Sequence, residues 1–393
     1  MRHPTVWLPA FALGIAFTAC PSTGWTQTVQ PDGEPNLQAM LDKAKPGSEI
    51  DLKPGIYWGP LVLRREMKLT GPRSAIIRSG GQGTTVRMLG KNCVLKGLTV
   101  DGSGSRYETQ DSGIYVYGDG AQVLGVDIRH CLFGIWAESS RGVELTGNRI
   151  TGDQHQAIGL RGDAIHLWEV SGSLVADNLV KDSRDVVVWY SPDNRLLGNR
   201  IMNGRYGTHF MYSDDNEVES GDYTHDVVGI FSMYSRNLRI KGSRFKDCVG
   251  ATGFGFGAKE SGNLTLTDNV FEGDTVGLHL DNSPYKPGDS NLFRDNRFSD
   301  CTTAVNFNGV AQSSRFMDNA FFGNRSQLRV DGNDNALKTQ WDENYFDDYQ
   351  GYDIDGDGIG DVLYEFRNLT DDLAGTHPSL DLFQGTPALL MLC

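Results

Sequence analysis

Between about residue 48 and residue 346 the chain runs in short alternations of aliphatic or aromatic and polar positions, with no helical period. Segments such as GIYVYG, GIWAES, AIHLWE, GLHLDN and AVNFNG open on Gly113, Gly134, Ala164, Gly277 and Ala304, and Val186, Gly207, Gly229 and Gly255 are anchors of the same kind. Their spacings run from 21 to 30, mostly 21 or 22. Between them recur polar turns that end in Asn and an aliphatic or aromatic residue, as at GNRI (147), DNLV (177), GNRI (198), DNVF (268), DNRF (295) and DNAF (318). Two or three short strands with polar turns per period predict one coil of an all-β parallel β-helix, a solenoid in which each coil buries its inward side chains by stacking on its neighbours. Ahead of the coils, Leu37, Met40, Leu41 and Ala44 fall at helical spacing within residues 36–45, which predicts a short N-terminal helix capping the open end of the stack. One continuous domain is expected over 36–346, followed by an irregular tail over 347–393.

Alternation within the anchor strands separates two faces. Ile114, Ile135, Ile165, Val188, Phe210, Ile230, Leu278 and Val305 form the face a stacked interior needs. The opposite face carries Trp136, His166, Trp168, Trp189, His209, Met211, Phe231, Met233, Lys259, His279, Asp281 and Asn306. A solvated face would carry Lys, Glu, Thr or Ser, so this soft, aromatic stripe is expected to face solvent and to serve as a contact surface, with Trp136, His166, Trp168, Trp189, Phe231 and His279 as its interface residues. The bland alternative is a tail folded back over it.

The triplet 186-VVVWYS-191, 207-GTHFMYS-213 and 229-GIFSMYS-235 adds chemistry, because Tyr190, Tyr212 and Tyr234 stand 22 residues apart. Residues one period apart on one face are stacked neighbours about 4.8 Å apart. Met211 is therefore expected beside Met233, with His209 on the same face, a soft set suited to Cu(I). Tyr212 and Tyr234, with Ser213 and Ser235, are expected on the other side as an inward or corner stack that fixes the register. Met packed on Met is also ordinary core material.

Composition narrows the partners. Lys and Arg number 36 against 50 Asp and Glu, a net charge of −14, which argues against a nucleic-acid or anionic-membrane surface. Arg2 and His3, an apolar run over Val6–Phe17 and small residues after it predict a secretory signal over 1–26. The expected product is exported. Phe17-Thr18-Ala19-Cys20 also resembles a lipoprotein signal ending before Cys20, which would tether the chain to a membrane. Cys93, Cys131, Cys248, Cys301 and Cys393 contain no Cys-x-x-Cys pair and are expected to be reduced thiols, not a zinc site or a disulfide framework. In the tail, Asp353, Asp355, Asp357 and Asp361, with the Ile359 carbonyl, alternate as oxygen ligands do in calcium loops, with Gly356 and Gly358 at the turn. Tyr364 stands where an EF-hand has its Glu, so a full EF-hand is not expected.

The strings RYGTHFMYSDDN (205–216), VGIFSMYSRNL (228–238), VGLHLDNSP (276–284) and NYFDDYQGYDIDGDGIGD (344–361) resemble the NosD family of periplasmic accessory proteins, from the capping segment to the Asp-rich tail. The resemblance implies a single-stranded right-handed parallel β-helix of the pectin-lyase kind. It also implies a non-enzymatic role beside an ABC-type membrane permease and its ATPase, with a copper chaperone nearby, in maturing the copper centres of nitrous oxide reductase. Family members commonly continue past the Leu-Leu segment with a hydrophobic, Pro-rich tail, whereas this chain ends at 387-PALLMLC-393. Lipidation of Cys20 would substitute for that tail in membrane attachment. The competing class is a carbohydrate-binding or carbohydrate-active protein, a lyase, hydrolase or epimerase, since the same fold serves those functions. A hydrolase needs two facing carboxylates, and the stripe offers only Asp281 and Asp163 or Asp185, without an obvious pair in neighbouring coils.

Overall fold

The computed structural model describes residues 26–29, 36–309, 312–331 and 338–366. The expected signal segment, Cys20 and the last 27 residues lie outside the described residues. Among the described residues every strand pairing is parallel, and the strands form three long sheets of 14, 12 and 13 strands, each coil contributing one strand to each sheet over most of the stack. No helix among the described residues is long and apolar enough to cross a membrane.

The helix Leu37–Lys43 closes one end. Asn36 caps it, its Oδ1 accepting from the Ala39 N–H at 2.8 Å, while Leu37 and Leu41 are buried on the first coils. The stack starts earlier than the expected residue 36, because Thr26–Val29 pairs with Ser48–Leu52 on the far side of the helix. A strand of four residues is too short to show a period in sequence.

Two internal devices hold the coils in register. Asn148, Asn178 and Asn199, and again Asn269, Asn296, Asn319 and Asn344, stack as ladders in which each Oδ1 after the first accepts from the backbone N–H of the Asn one coil earlier, as in Asn148 N to Asn178 Oδ1 at 3.0 Å. Each Nδ2 donates to a carbonyl of an inward strand residue, for example Asn178 to Leu145 O at 2.8 Å. A buried amide left unpaired costs about 1–3 kcal/mol, which is why these turns end in Asn. The residue after next points inward, and from Tyr223 through Phe245, Phe271, Phe298 and Phe321 to Phe346 those rings stack at centroid distances of 4.6 to 5.2 Å.

The Tyr-Ser repeat divides at a corner. Ser191, Ser213 and Ser235 are fully buried, and Ser213 and Ser235 each accept through Oγ from the backbone N–H of the Ser one coil earlier, at 3.0 Å. The tyrosines turn outward with φ of 49°, 50° and 52°, and their rings stack at 5.3 and 5.0 Å. The serines thus set the register from inside, while the tyrosines form an external corner stack.

Candidate functional site

The stripe lies on the outer face of the 12-stranded sheet. One row runs Tyr115, Trp136, His166, Val187, His209, Phe231, Gly257, His279 and Asn306 in direct register. Beside it run Glu138, Trp168, Trp189, Met211, Met233, Lys259, Asp281 and Asn308.

The expectation of a solvent-facing stripe needs correction at its centre. Trp136, His166 and His209 are only 7, 4 and 5% exposed. Trp168, Trp189, Phe231 and His279 are half-buried. Outward rings one coil apart shield one another: Trp136 stacks on His166 at 3.8 Å and meets Phe133 edge-on at 5.1 Å, and Phe133 is in turn covered by Tyr107 at 5.8 Å. His279 stacks on Phe254 at 4.2 Å and its Nδ1 lies 2.6 Å from Asn306 Oδ1.

Met211 pairs directly with Met233, and His209 Nε2 lies 3.4 Å from Met233 Sδ. His209 Nδ1 is buried without a protein partner. Its ring sits among Tyr206, Trp189 and Phe231 at 5.0, 5.8 and 6.3 Å. Burial, helped by the Arg205 charge, pushes the His209 pKa down to about 4, so at neutral pH the imidazole is uncharged and has a free lone pair. Of the expected trio, His209 and Met233 thus come into direct contact, and Met211 stands opposite Met233 in the strand register. Such donors suit Cu(I) and disfavour hard cations.

Next to it lies an ionic network that sequence reading largely missed. His166 Nδ1 is 2.9 Å from Asp163 Oδ2, and Arg184 donates to both oxygens of Asp163 at 2.9 and 3.1 Å. Arg205 grips Asp185 through both oxygens and lies over the Tyr206 ring at 4.5 Å. Burial opposes ionisation of Asp163, but the His166 hydrogen bond and the Arg184 charge hold it below the usual carboxylate range. For Asp185 burial wins, and its carboxyl is held above that range. Arg184 and Arg205, 21 residues apart before consecutive anchor strands, were the available signal.

In the tail, ligand atoms of Asp353, Asp355 and Asp361 converge to within 4.8 Å, but Asp357 is not part of that group, and its Oδ1 accepts from the Ile359 N–H. Asp353 and Asp361 already accept from the backbone N–H groups of Gly356, Gly358 and Ile354. Cys93, Cys131, Cys248 and Cys301 are free thiols, all raised in pKa first by burial, which suits packing and not thiolate ligation.

Residues 155–351, which include His166, His209, Met211 and Met233, match the family described as "Periplasmic copper-binding protein (NosD)". The chain belongs to the NosD family. Residues 84–222 also match the right-handed β-helix region family, so the handedness implied by the NosD resemblance holds. Two NosD relatives, each described as a probable ABC transporter binding protein, resemble it over most of their length. The protein from Stutzerimonas stutzeri is 28% identical, with 96% of this chain and 86% of the relative covered. That from Pseudomonas aeruginosa is 29% identical, with 87% and 82% covered. Among solved structures, the mannuronan C-5 epimerase A-module of Azotobacter vinelandii superposes with a TM-score of 0.61 at 14% identity, covering 78% of this chain and 93% of its own. An α-1,3-glucanase catalytic unit from Streptomyces thermodiastaticus gives 0.62 at 14% identity, covering 84% and 70%. At such identities these likenesses establish the pectin-lyase-like fold alone.

Proposed function

We propose that this NosD-family chain is a periplasmic accessory protein that holds Cu(I) transiently at His209, Met233 and Met211 and passes it on. In this reading copper arrives from a copper chaperone. An ABC-type permease and ATPase drive the exchange, and nitrous oxide reductase is the final recipient. The observation that carries the proposal is the 3.4 Å approach of His209 Nε2 to Met233 Sδ, with Met211 paired beside it. Two soft donors at that separation can share one ion, and the neutral imidazole needs no deprotonation first. The half-buried Trp168, Trp189 and Phe231 around the trio supply aromatic surface for a docking partner.

A carbohydrate-active role finds less support at this face. Asp163 and Asp185 do lie on neighbouring coils, but each is gripped by an arginine, and Asp163 also by His166. Neither is free to protonate a leaving oxygen or to activate water.

Competition titration with a chromogenic Cu(I) chelator tests the proposal. Wild type should hold Cu(I) at least tenfold more tightly than His209→Gln or Met211→Leu/Met233→Leu, the latter a swap that keeps volume. Equal affinities would reduce the trio to packing. In the native host, deletion should lower the copper content of nitrous oxide reductase, and an unchanged content would remove the maturation role.

A further inference from the structure

Along the corner between the 12-stranded and 14-stranded sheets, Glu169, Tyr190, Tyr212, Tyr234 and Glu260 occupy one position of five successive coils. Each of the first four donates its N–H to the residue just before the next corner: Glu169 to Trp189 O, Tyr190 to Met211 O, Tyr212 to Met233 O and Tyr234 to Lys259 O. All five have φ between 46° and 54°. The three phenol rings stack at 5.3 and 5.0 Å, with Tyr190 and Tyr212 47 and 45% exposed. Among the described residues their hydroxyls have no protein partner. Three residues further round the turn, Asp193 and Asp215 are exposed in a second column that continues through Asn237, at φ of 59°, 60° and 59°. Glu169, Asp193, Asp214, Asp215 and Glu260 make no salt bridge among the described residues, and Arg236, near Asp214 and Asp215, bonds both oxygens of Asp289 instead.

We infer that this tyrosine corner is a docking ridge for a basic α-helix of a partner protein, one that presents Lys or Arg once per turn along a single face. Charge gives the sign: the ridge offers phenol oxygens between rows of unpaired carboxylates, acceptors that match the N–H donors of Lys and Arg. Spacing gives the shape. A helix repeats every 5.4 Å or so along its axis, close to the 5.3 and 5.0 Å between the tyrosine rings. An extended strand repeats on one side only every 7 Å or so and would fall out of step by about 2 Å at each coil. Five coils span roughly 19 Å, the length of about 13 helical residues. Tyr212 and Tyr234 directly follow Met211 and Met233, and Trp168 meets the Tyr190 ring edge-on at 5.2 Å, so a helix on the ridge would lie along the rim of the aromatic face. The inference does not depend on which cargo that face holds.

The probe is a labelled, Ala-rich helical peptide of about 20 residues with Lys at every turn of one face, and its control is the same residues reordered so that the Lys circle the helix. Fluorescence anisotropy with the full chain should show the one-faced peptide bound at least tenfold more tightly than the control, and about tenfold more weakly at 0.3 M than at 0.02 M salt. Tyr190→Asn/Tyr212→Asn and Asp193→Asn/Asp215→Asn should each weaken it at least fivefold. Both variants should melt as wild type does, since Asn282 already holds the tyrosine position one coil beyond Glu260 at φ 45° and Asn237 the aspartate position. Cu(I) affinity should stay within twofold in both, so failure of the ridge and failure of the copper trio are told apart. Equal binding of the two peptides would reduce the ridge to diffuse charge and overturn the inference. Unchanged affinity in either variant, or no binding by wild type, would overturn it too.

Discussion

Asp226 sits at the corner just before the strand Val228–Met233, and it is 1% exposed. Its Oδ1 accepts from the Gly204 N–H at 2.6 Å, but Oδ2 has no protein partner and lies against Gly207, 2.9 Å from where a Cβ there would stand. Burial drives its pKa from an ordinary 3.8 to about 8, with Asp185 and Asp222 adding to the rise. The carboxyl is therefore neutral in the fold at pH 7 and ionised in the unfolded chain. A carboxyl raised in this way contributes stability that is fully present below its unfolded pKa and is lost as pH rises through about 8. The slope is about 1.4 kcal/mol per pH unit, so moving from pH 5 to pH 8 should remove roughly 4 kcal/mol from this coil. Asp226→Asn cannot ionise. Asn324 stands at the equivalent corner of its own coil and illustrates the replacement: Oδ1 accepts from the Cys301 N–H at 3.0 Å and Nδ2 donates to Phe298 O at 3.0 Å. The variant should match wild type within about 1 kcal/mol at pH 5 and exceed it by several kcal/mol at pH 8. Because stacked coils unfold as neighbours and not all at once, the assay is hydrogen exchange of amides over residues 204–230, wild type against variant at each pH, alongside thermal melts. A variant equally destabilised at pH 5 and pH 8 would mean that the carboxylate is ionised and needed in the fold, and the reasoning would fail.

Because the His209 pKa lies at about 4, Cu(I) affinity should change less than twofold between pH 7.5 and 5.5, whereas a site built on an ordinary histidine would lose roughly tenfold over that range. The same depressed pKa makes the unfolded chain take up the proton first, so His209 should cost stability as pH falls from 6.5 toward 4, a loss that His209→Gln should lack in acid melts. Trp136→Ala should cost about 3 kcal/mol of stability, being 7% exposed and stacked on His166, while Trp168→Ala should chiefly weaken capture of the proposed permease partner. The reverse pattern in melts and pull-downs would show that the wrong residue was taken as the surface one. Calcium should release heat on mixing with wild type and not with Asp353→Ala/Asp355→Ala, and equal heats would leave the loop as a hydrogen-bonded surface turn.

What sequence could reveal follows from what repeats. The Asn turns recur at a fixed offset before an inward residue because each coil of the two ladders has the same buried amide to pair, so one coil's requirement is readable in its neighbours. The pairing of Met211 with Met233 was legible for the same reason. The burial of Trp136 and His166 was not, since it depends on rings of successive coils lying flat on one another and on Tyr107 reaching Phe133 from an irregular loop. Arg184 and Arg205 lie in polar turns, where a guanidinium ordinarily signals solvent, and only the fold shows that each turns inward upon a buried aspartate. In the Asp-rich tail the convergence of Asp353, Asp355 and Asp361 was legible in the sequence, but not that Asp357 stands apart with its Oδ1 on the Ile359 N–H.

The chemistry of the outer face depends on one irregularity. Asp185 pairs with Tyr206 and Val187 with His209, so the strand Tyr206–Met211 fits one more residue into the same span than Asp185–Trp189 does. In a strictly alternating strand with Tyr206 outward, Thr208 would follow it outward, and His209 and Met211 would enter the core. The extra residue reverses that phase. Thr208 and Phe210 are fully buried, Thr208 lying 3.2 Å from Tyr223 Oη, while His209 and Met211 reach the outer face. Gly207 makes this possible, since a Cβ there would come within 2.5 Å of both the Tyr223 ring and the Gly229 carbonyl. The next strand keeps the same phase, with Thr208 opposite Ile230 and His209 opposite Phe231, which is what sets Met233 beside the imidazole. A one-residue change in register elsewhere on this face would lose packing, but here it would also turn every soft donor away from a partner. The glycine that looks like a repeat marker in the sequence is thus the residue on which the outward orientation of His209 and Met211 depends.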